Sequence, residues 1–333
     1  MTALREQIVM RRRRFFNSMF ALAMTAGPMA RAAAKPVRIG WLTAQREASL
    51  VPFIASFRDG LTQLGYEEGR DFAIEFRYGN DNVGSVPGLA AELVRLPVDL
   101  LVVQGEAVAV VAQIALPIPI VYVFSGDPVS AGFAKSLSQP RANMTGLTFM
   151  AAELNGKRLE LLKEMIPTVT RVAIVANPEH PGENIERTYS EDAGRRLGIA
   201  TDYFPTRSQE ELTHALSQMA AHPPQAISLF ADGFAIQNRQ RIIDFAMSKR
   251  APVVSGWPIF AQSGALFSYG PRLTDSYRRL AHYVDRVLKG TKPADLPIER
   301  PTTFQLVMNI RTAKMLGLTI AQSVLVRADD VLE

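Results

Sequence analysis

Glu106, Asp127 and Asp232 each follow, within a few residues, an apolar run rich in β-branched and aromatic residues, where an open α/β sheet presents its ligands. Carboxylates at strand ends in a cleft are also how glycosidases begin, so an exported hydrolase is one reading of the set. The same acids can instead hold a ligand amine, or fix their own turns as Asx motifs. No G-x-S-x-G nucleophile turn, no Walker loop and no strand-following G-x-G-x-x-G accompanies them. The four histidines are dispersed: His180 and His222 stand beside prolines, while His214 and His282 fall within helical patterns. Neither a metal site nor a cofactor is expected from that distribution.

The remaining candidates also sit at strand ends. Gln45 and Arg46, with Glu47, occupy the loop after the first strand, where they contact either a ligand or solvent. Gly105 precedes Glu106, Ser125 opens the Ser-Gly-Asp-Pro loop, and Asn177 precedes Pro178. Trp257 and Tyr269 offer rings that could stack on a ligand or pack as apolar walls.

The elements that must position these residues alternate regularly. Residues 118–124 form an apolar run that reads as a strand buried on both faces. Before it come strand patterns over 37–41, 72–78 and 99–103, with helical patterns over 50–64, 87–95 and 107–114 between them. The 72–78 run alternates and reads as a half-buried strand near an edge. Residues 129–138 allow only a short helix or turn, and 144–149 is apolar again. The second half repeats the grammar, with helices expected over 153–165, 183–197, 209–221 and, after the polar strand end Ala231-Asp232-Gly233, up to about 249. Its strands fall at 172–176, 199–204, 226–230 and 253–254. In the tail, strands are expected over 265–269 and 304–308 and helices over 276–288 and 312–316. The pairs Glu67-Glu68 and Asp329-Asp330 read as solvated surface. This is an α/β chain of two αβα lobes with parallel central sheets, hinged where it crosses three times, near 144–149, 268–273 and 300–305.

Residues 1–34 do not belong to that pattern. Six arginines against one glutamate, an apolar run over 15–30 and small residues at Ala30, Ala32 and Ala34 read as a secretory signal peptide. Arg12-Arg13 followed by Arg14, Phe15 and Phe16 also fits a twin-arginine signal. The whole chain has 37 basic and 32 acidic residues. With the leader set aside the two signs balance, which removes the charge argument for nucleic acid. The absence of cysteine excludes disulfides and thiolate chemistry, suits a periplasmic location and leaves no lipid-attachment site. A soluble, monomeric protein in the periplasm is expected.

Several segments carry a family resemblance: 57–70 (FRDGLTQLGYEEGR), 119–129 (PIVYVFSGDPV), 143–148 (NMTGLT), 156–167 (GKRLELLKEMIP), 172–178 (VAIVANP), 268–270 (SYG), 288–297 (LKGTKPADLP) and 313–318 (AKMLGL). In this order they resemble the extracytoplasmic substrate-binding proteins of ABC transporters, in the branch of the periplasmic-binding type I superfamily named for tryptophan and tyrosine uptake. The resemblance runs from about 37 to 333. It implies a lobe of 35–147 plus 270–302, a second of 148–269 plus 303–333, a ligand cleft between them and a partner in the ABC permease of the inner membrane. It further implies binding, without catalysis, of a small organic solute such as an amino acid or related compound. A periplasmic sensing domain that serves a signalling protein is the alternative on the same fold.

The chain departs from the family pattern at one place. Members commonly carry a small hydroxyl residue beside the glycine after the 99–103 strand, whereas this chain has Gly105-Glu106-Ala107. A hydroxyl there could help bind an α-carboxylate. Glu106 can cap the same donors itself, which makes an anion less welcome and an amine or hydroxyl more welcome.

Overall fold

The computed structural model describes residues 35–114, 116–141, 143–150 and 152–333; the expected signal peptide over 1–34 lies outside the described residues. The N-terminal half runs β1 (Val37–Thr43), α1 (Val51–Gln63), β2 (Phe72–Tyr78), α2 (Val86–Arg95), β3 (Leu100–Gln104), α3 (Ala107–Ile114) and β4 (Ile120–Phe124). A small antiparallel pair follows, β5 (Ala134–Ser136) with β6 (Gln139–Pro140), and then β7 (Met144–Thr148). The main strands form one parallel sheet in the order β2-β1-β3-β4-β7. Every residue of β3 and β4 is buried, as the apolar runs 100–103 and 120–124 require of central strands covered on both faces; Gln104 closes β3 as a buried amide. β2 lies at the edge, mostly half-buried, in keeping with its alternating sequence.

Side-chain alternation splits this lobe's core in two. Ile39, Trp41, Leu100, Val102, Val121 and Val123 pack with α1 on one face. Leu42, Leu101, Val103 and Tyr122 pack with α2 and α3 on the other. Residues 129–138 hold the expected turn plus part of the β5–β6 pair, and Asp127 spends its carboxylate on that turn. One local expectation is corrected here. The strand expected from 118 begins at Ile120, since Pro119 has no N–H to give and the carbonyl of Ile118 accepts from the Asn143 side chain.

The C-terminal half continues α4 (Glu153–Met165), β8 (Arg171–Ala176), α5 (Glu183–Leu197), β9 (Ala200–Pro205), α6 (Gln209–Ala221), β10 (Ala226–Leu229), α7 (Gly233–Ser248), β11 (Val253–Ser255), α8 (Pro258–Gln262) and β12 (Phe267–Pro271). Then α9 (Leu273–Leu288) returns to the first lobe. Its stripe of Leu273, Tyr277, Leu280, Ala281, Val284 and Val287 completes the core under α1. Finally β13 (Phe304–Asn309), α10 (Ile310–Met315), α11 (Gln322–Leu325) and β14 (Asp330–Leu332) finish the second lobe. Its sheet has the order β14-β13-β12-β11-β10-β8-β9, with β12 and β13 antiparallel and the other pairs parallel.

The tail differs from its sequence reading. The helix expected from 276 starts at Leu273, because Leu273 and Tyr277 are already buried against the first lobe. Asp329 and Asp330 are exposed, as expected, and Asp329 also accepts from the N–H of Leu306 at 2.8 Å and pairs with Arg272, which docks β14. The three passages between the sheets lie side by side, with Thr148 N–H donating to Glu299 O at 2.9 Å and Arg272 N–H to Thr303 O at 3.0 Å.

Candidate functional site

The carboxyl ends of both sheets carry loops that meet. After β4, Gly126 and Asp127 lie against Pro181 and Gly182 of the loop between β8 and α5. The N–H of Asp127 donates to Pro181 O at 2.9 Å. A Cβ on Gly126 would stand 2.6 Å from that same oxygen, and one on Gly182 would stand 2.9 Å from the Cβ of Asp127. Gly182 has φ +92°, a left-handed conformation that turns the chain into α5.

His180 seals this contact. Its ring approaches Phe124, with centroids 6.3 Å apart, and it bonds to the backbone of Ser125. Desolvation lowers its pKa, while Glu186 and the Ser125 bond pull the other way. Glu186 in turn accepts from Asn155 Nδ2 at 3.0 Å. Asn155 Oδ1 accepts from Arg158, whose Nε donates to Tyr269 O at 2.8 Å. Burial raises the pKa of Glu186 and pushes Arg158 down to about 10. Sequence reasoning missed His180, Arg158 and Glu186. For Arg158 the signal was its spacing: Leu154, Arg158, Leu161 and Met165 share the buried stripe of α4, so this cation had to be buried with its partners.

Glu106 crosses the cleft at a second point. Gly105, at φ +65°, turns the chain out of β3, and the Glu106 carboxylate then reaches Gly233 at the start of α7. A Cβ on Gly233 would lie 2.1 Å from Glu106 Oε1. The side chain stays open to solvent, yet partial desolvation, then Asp232 and Asp81, raise its pKa. Asp232 is buried and caps α7: its Oδ1 accepts from Ala235 N–H at 2.7 Å, and its carboxylate also receives the N–H groups of Phe234 and Asn177. Desolvation nevertheless pushes it up to about 6.

The structure thus brings Gly105, Glu106, Ser125, Asp127, Asn177 and Asp232 into one set of facing loops. Gln45 joins from β1, accepting from Gln104 Nε2 at 2.8 Å. Trp257, before α8, packs against core residues of both lobes and so spans the cleft. Three residues are turned to other work. Arg46 pairs with Asp81. Asp127 accepts from Val129 N–H, Ser130 N–H and Ser130 Oγ. Tyr269 packs on the cluster beneath α4. Among the described residues no group of three or more His, Cys, Asp or Glu could hold a metal ion, and no helix is long and apolar enough to cross a membrane.

Known proteins share this architecture. A domain from Streptococcus pneumoniae solved in complex with L-Trp superposes with a TM-score of 0.81 at 24% identity, covering 90% of this chain and 100% of that one. A conserved domain protein of Vibrio cholerae gives 0.80 at 26%, covering 89% and 100%. A tyrosine-binding protein of Clostridioides difficile strain R20291 is 22% identical over 264 residues, which is 79% of this chain and 75% of that protein. With the model for ABC transporter substrate binding proteins matching residues 46–332, the chain belongs to that family.

Proposed function

We propose that this extracytoplasmic solute-binding protein takes one amino acid or related compound with an apolar or aromatic part, encloses it between its strand-end loops and passes it to an ABC permease of the inner membrane. The observation that carries this reading is the pair of direct contacts across the cleft, Asp127 to Pro181 and Glu106 to Gly233, made by loops from opposite sheets. A ligand between them would be contacted from both sides, and its preference for the closed form would set the population. The relatives that bind tyrosine and L-Trp support an aromatic amino-acid scale for the solute. In this reading Gln45, Gly105, Glu106, Ser125, Asn177, Asp232 and Trp257 line the cleft, while Arg46, Asp127 and Tyr269 shape its rim. The lobes are 35–147 with 270–302 and 148–269 with 303–333, hinged at the three passages.

Mass spectrometry of solute co-purified with gently prepared protein, followed by calorimetric titration and solution scattering with that solute, tests the proposal. One solute per chain and a smaller radius of gyration on binding are expected. A rigid protein, or a site mapped outside the cleft, would sink it. Export should remove residues up to about Ala34, leaving a periplasmic protein that begins near Lys35. Replacing Arg12 and Arg13 with lysine should impair twin-arginine export, and undiminished export would point to the general secretory route.

A further inference from the structure

We propose that the solute presents a cationic ammonium group between Glu106 and Asp232, carries its apolar or aromatic body toward Trp257, and has no free carboxylate at the start of α7. The inference rests on the reading that one small organic solute is held between the strand-end loops.

Two acids face the same spot from opposite lobes. Glu106 reaches Gly233 from the end of β3, and Asp232 is the residue just before Gly233. Among the described residues neither takes part in an ion pair. The nearby cations are committed elsewhere: Arg46 to Asp81, and Arg158 to Asn155 and the carbonyl of Tyr269. Closure therefore brings together two carboxylates with no counter-charge, an arrangement that a cation relieves and an anion worsens.

The donors that would receive a ligand carboxylate are already used. The N–H groups of Ala235, Phe234 and Asn177 all serve Asp232, and Glu106 lies over the first residue of the same helix. The chain's own carboxylates occupy the place where a helix N-terminus would otherwise hold an anion.

A separate observation points to a donor-bearing ligand. Gln104, 5% exposed at the carboxyl end of β3, has an Oε1 without a hydrogen-bond partner. Its Nε2 is engaged by Gln45, so the amide is fixed with its acceptor free. A buried acceptor without a donor is rare and costly. An ammonium group has three N–H bonds to give; Glu106 and Asp232 supply acceptors from the two facing strand ends, and the free Oε1 of Gln104 lies two residues before Glu106 at the same strand end. Trp257 adds an apolar surface, and an indole face attracts a cation.

Matched probes test this on the mature chain by calorimetry: tryptamine against L-tryptophan, and tyramine against L-tyrosine. Each amine should bind at least about tenfold more tightly than its amino acid, and Glu106→Gln should weaken the amine about thirtyfold or more while narrowing that preference. Glu106 is exposed, so the variant should fold, and an unchanged thermal melt of the free protein will verify it. An amino acid that binds wild type as tightly as its amine overturns the inference, as does an amine indifferent to Glu106→Gln. If no probe binds, the charge of the co-purified solute decides: an amine without a carboxylate upholds the inference, and an amino acid or any other carboxylate overturns it. A solute bound outside the cleft would instead defeat the underlying reading.

Discussion

The backbone N–H of Asp127 donates to the carbonyl oxygen of Pro181 at 2.9 Å, and this bond ties the loop after β4 to the loop after β8. It needs the chain at Gly126 to pass close to the same oxygen. The contact between lobes is therefore made by main chain, with side chains excluded by size.

Gly126→Ala should keep the lobes apart. The new Cβ would stand 2.6 Å from Pro181 O, closer than real contacts allow, and each lobe can avoid it by opening. Binding should weaken by tenfold or more, about 1.4 kcal/mol, while the melt of the free protein changes little. Scattering with saturating solute should show a larger radius of gyration than wild type; equal compaction would refute the role given to this contact.

Protonation of His180 should favour opening. Its pKa is lowered where the loops meet, so the stability it contributes is present above the ordinary imidazole value of about 6.5 and is lost as pH falls through the lowered one. Glu186 and Asp232, both raised by burial, act with the opposite sign and favour the buried arrangement in acid. Comparison with His180→Gln isolates the histidine. Between about pH 7.5 and 5, wild type should shift further toward the open form than the variant, and identical responses would count against the assignment.

Asp232→Asn should stabilise the free protein at neutral pH. A carboxyl raised from 3.8 to about 6 contributes stability that is full below its unfolded value and is lost as pH rises through about 6. A shift of that size corresponds to about 3 kcal/mol as an upper bound, and asparagine keeps the capping oxygen. Urea denaturation should show the gain near pH 7 and little of it at pH 4. A variant less stable than wild type at pH 7 would show that the cap outweighs the buried charge.

Arg158→Ala should cost about 3 to 5 kcal/mol, because it strips Asn155 and the Tyr269 carbonyl of their donor and removes the arginine that, with His180, favours the charged form of Glu186. Arg158→Lys should recover only part, since an ammonium cannot serve both acceptors with the geometry of the guanidinium fork. Full recovery by lysine, read as the urea midpoint, would mean that charge alone matters there.

Much of the architecture was legible in local sequence. The unbroken apolar runs of β3 and β4, the stripe of α4 and the alternation of β2 are periodic signals within one element, and periodicity follows from backbone geometry alone. The same signals put Glu106, Ser125, Asn177 and Asp232 at strand ends. Length and propensity could not reveal α11 and β14, which are too short to show a period and exist because Asp329 docks the tail on β13. Only the tertiary structure decided how the strand-end residues are spent. Asp127 turns back on its own loop, Asp232 takes three N–H groups, and Glu106 reaches the helix of the other lobe. Which side chains meet across the cleft depends on how two lobes are set against each other. Phe124 with His180, or Glu106 with Gly233, are joined by packing between residues far apart in the chain, for which a single sequence holds no periodic trace.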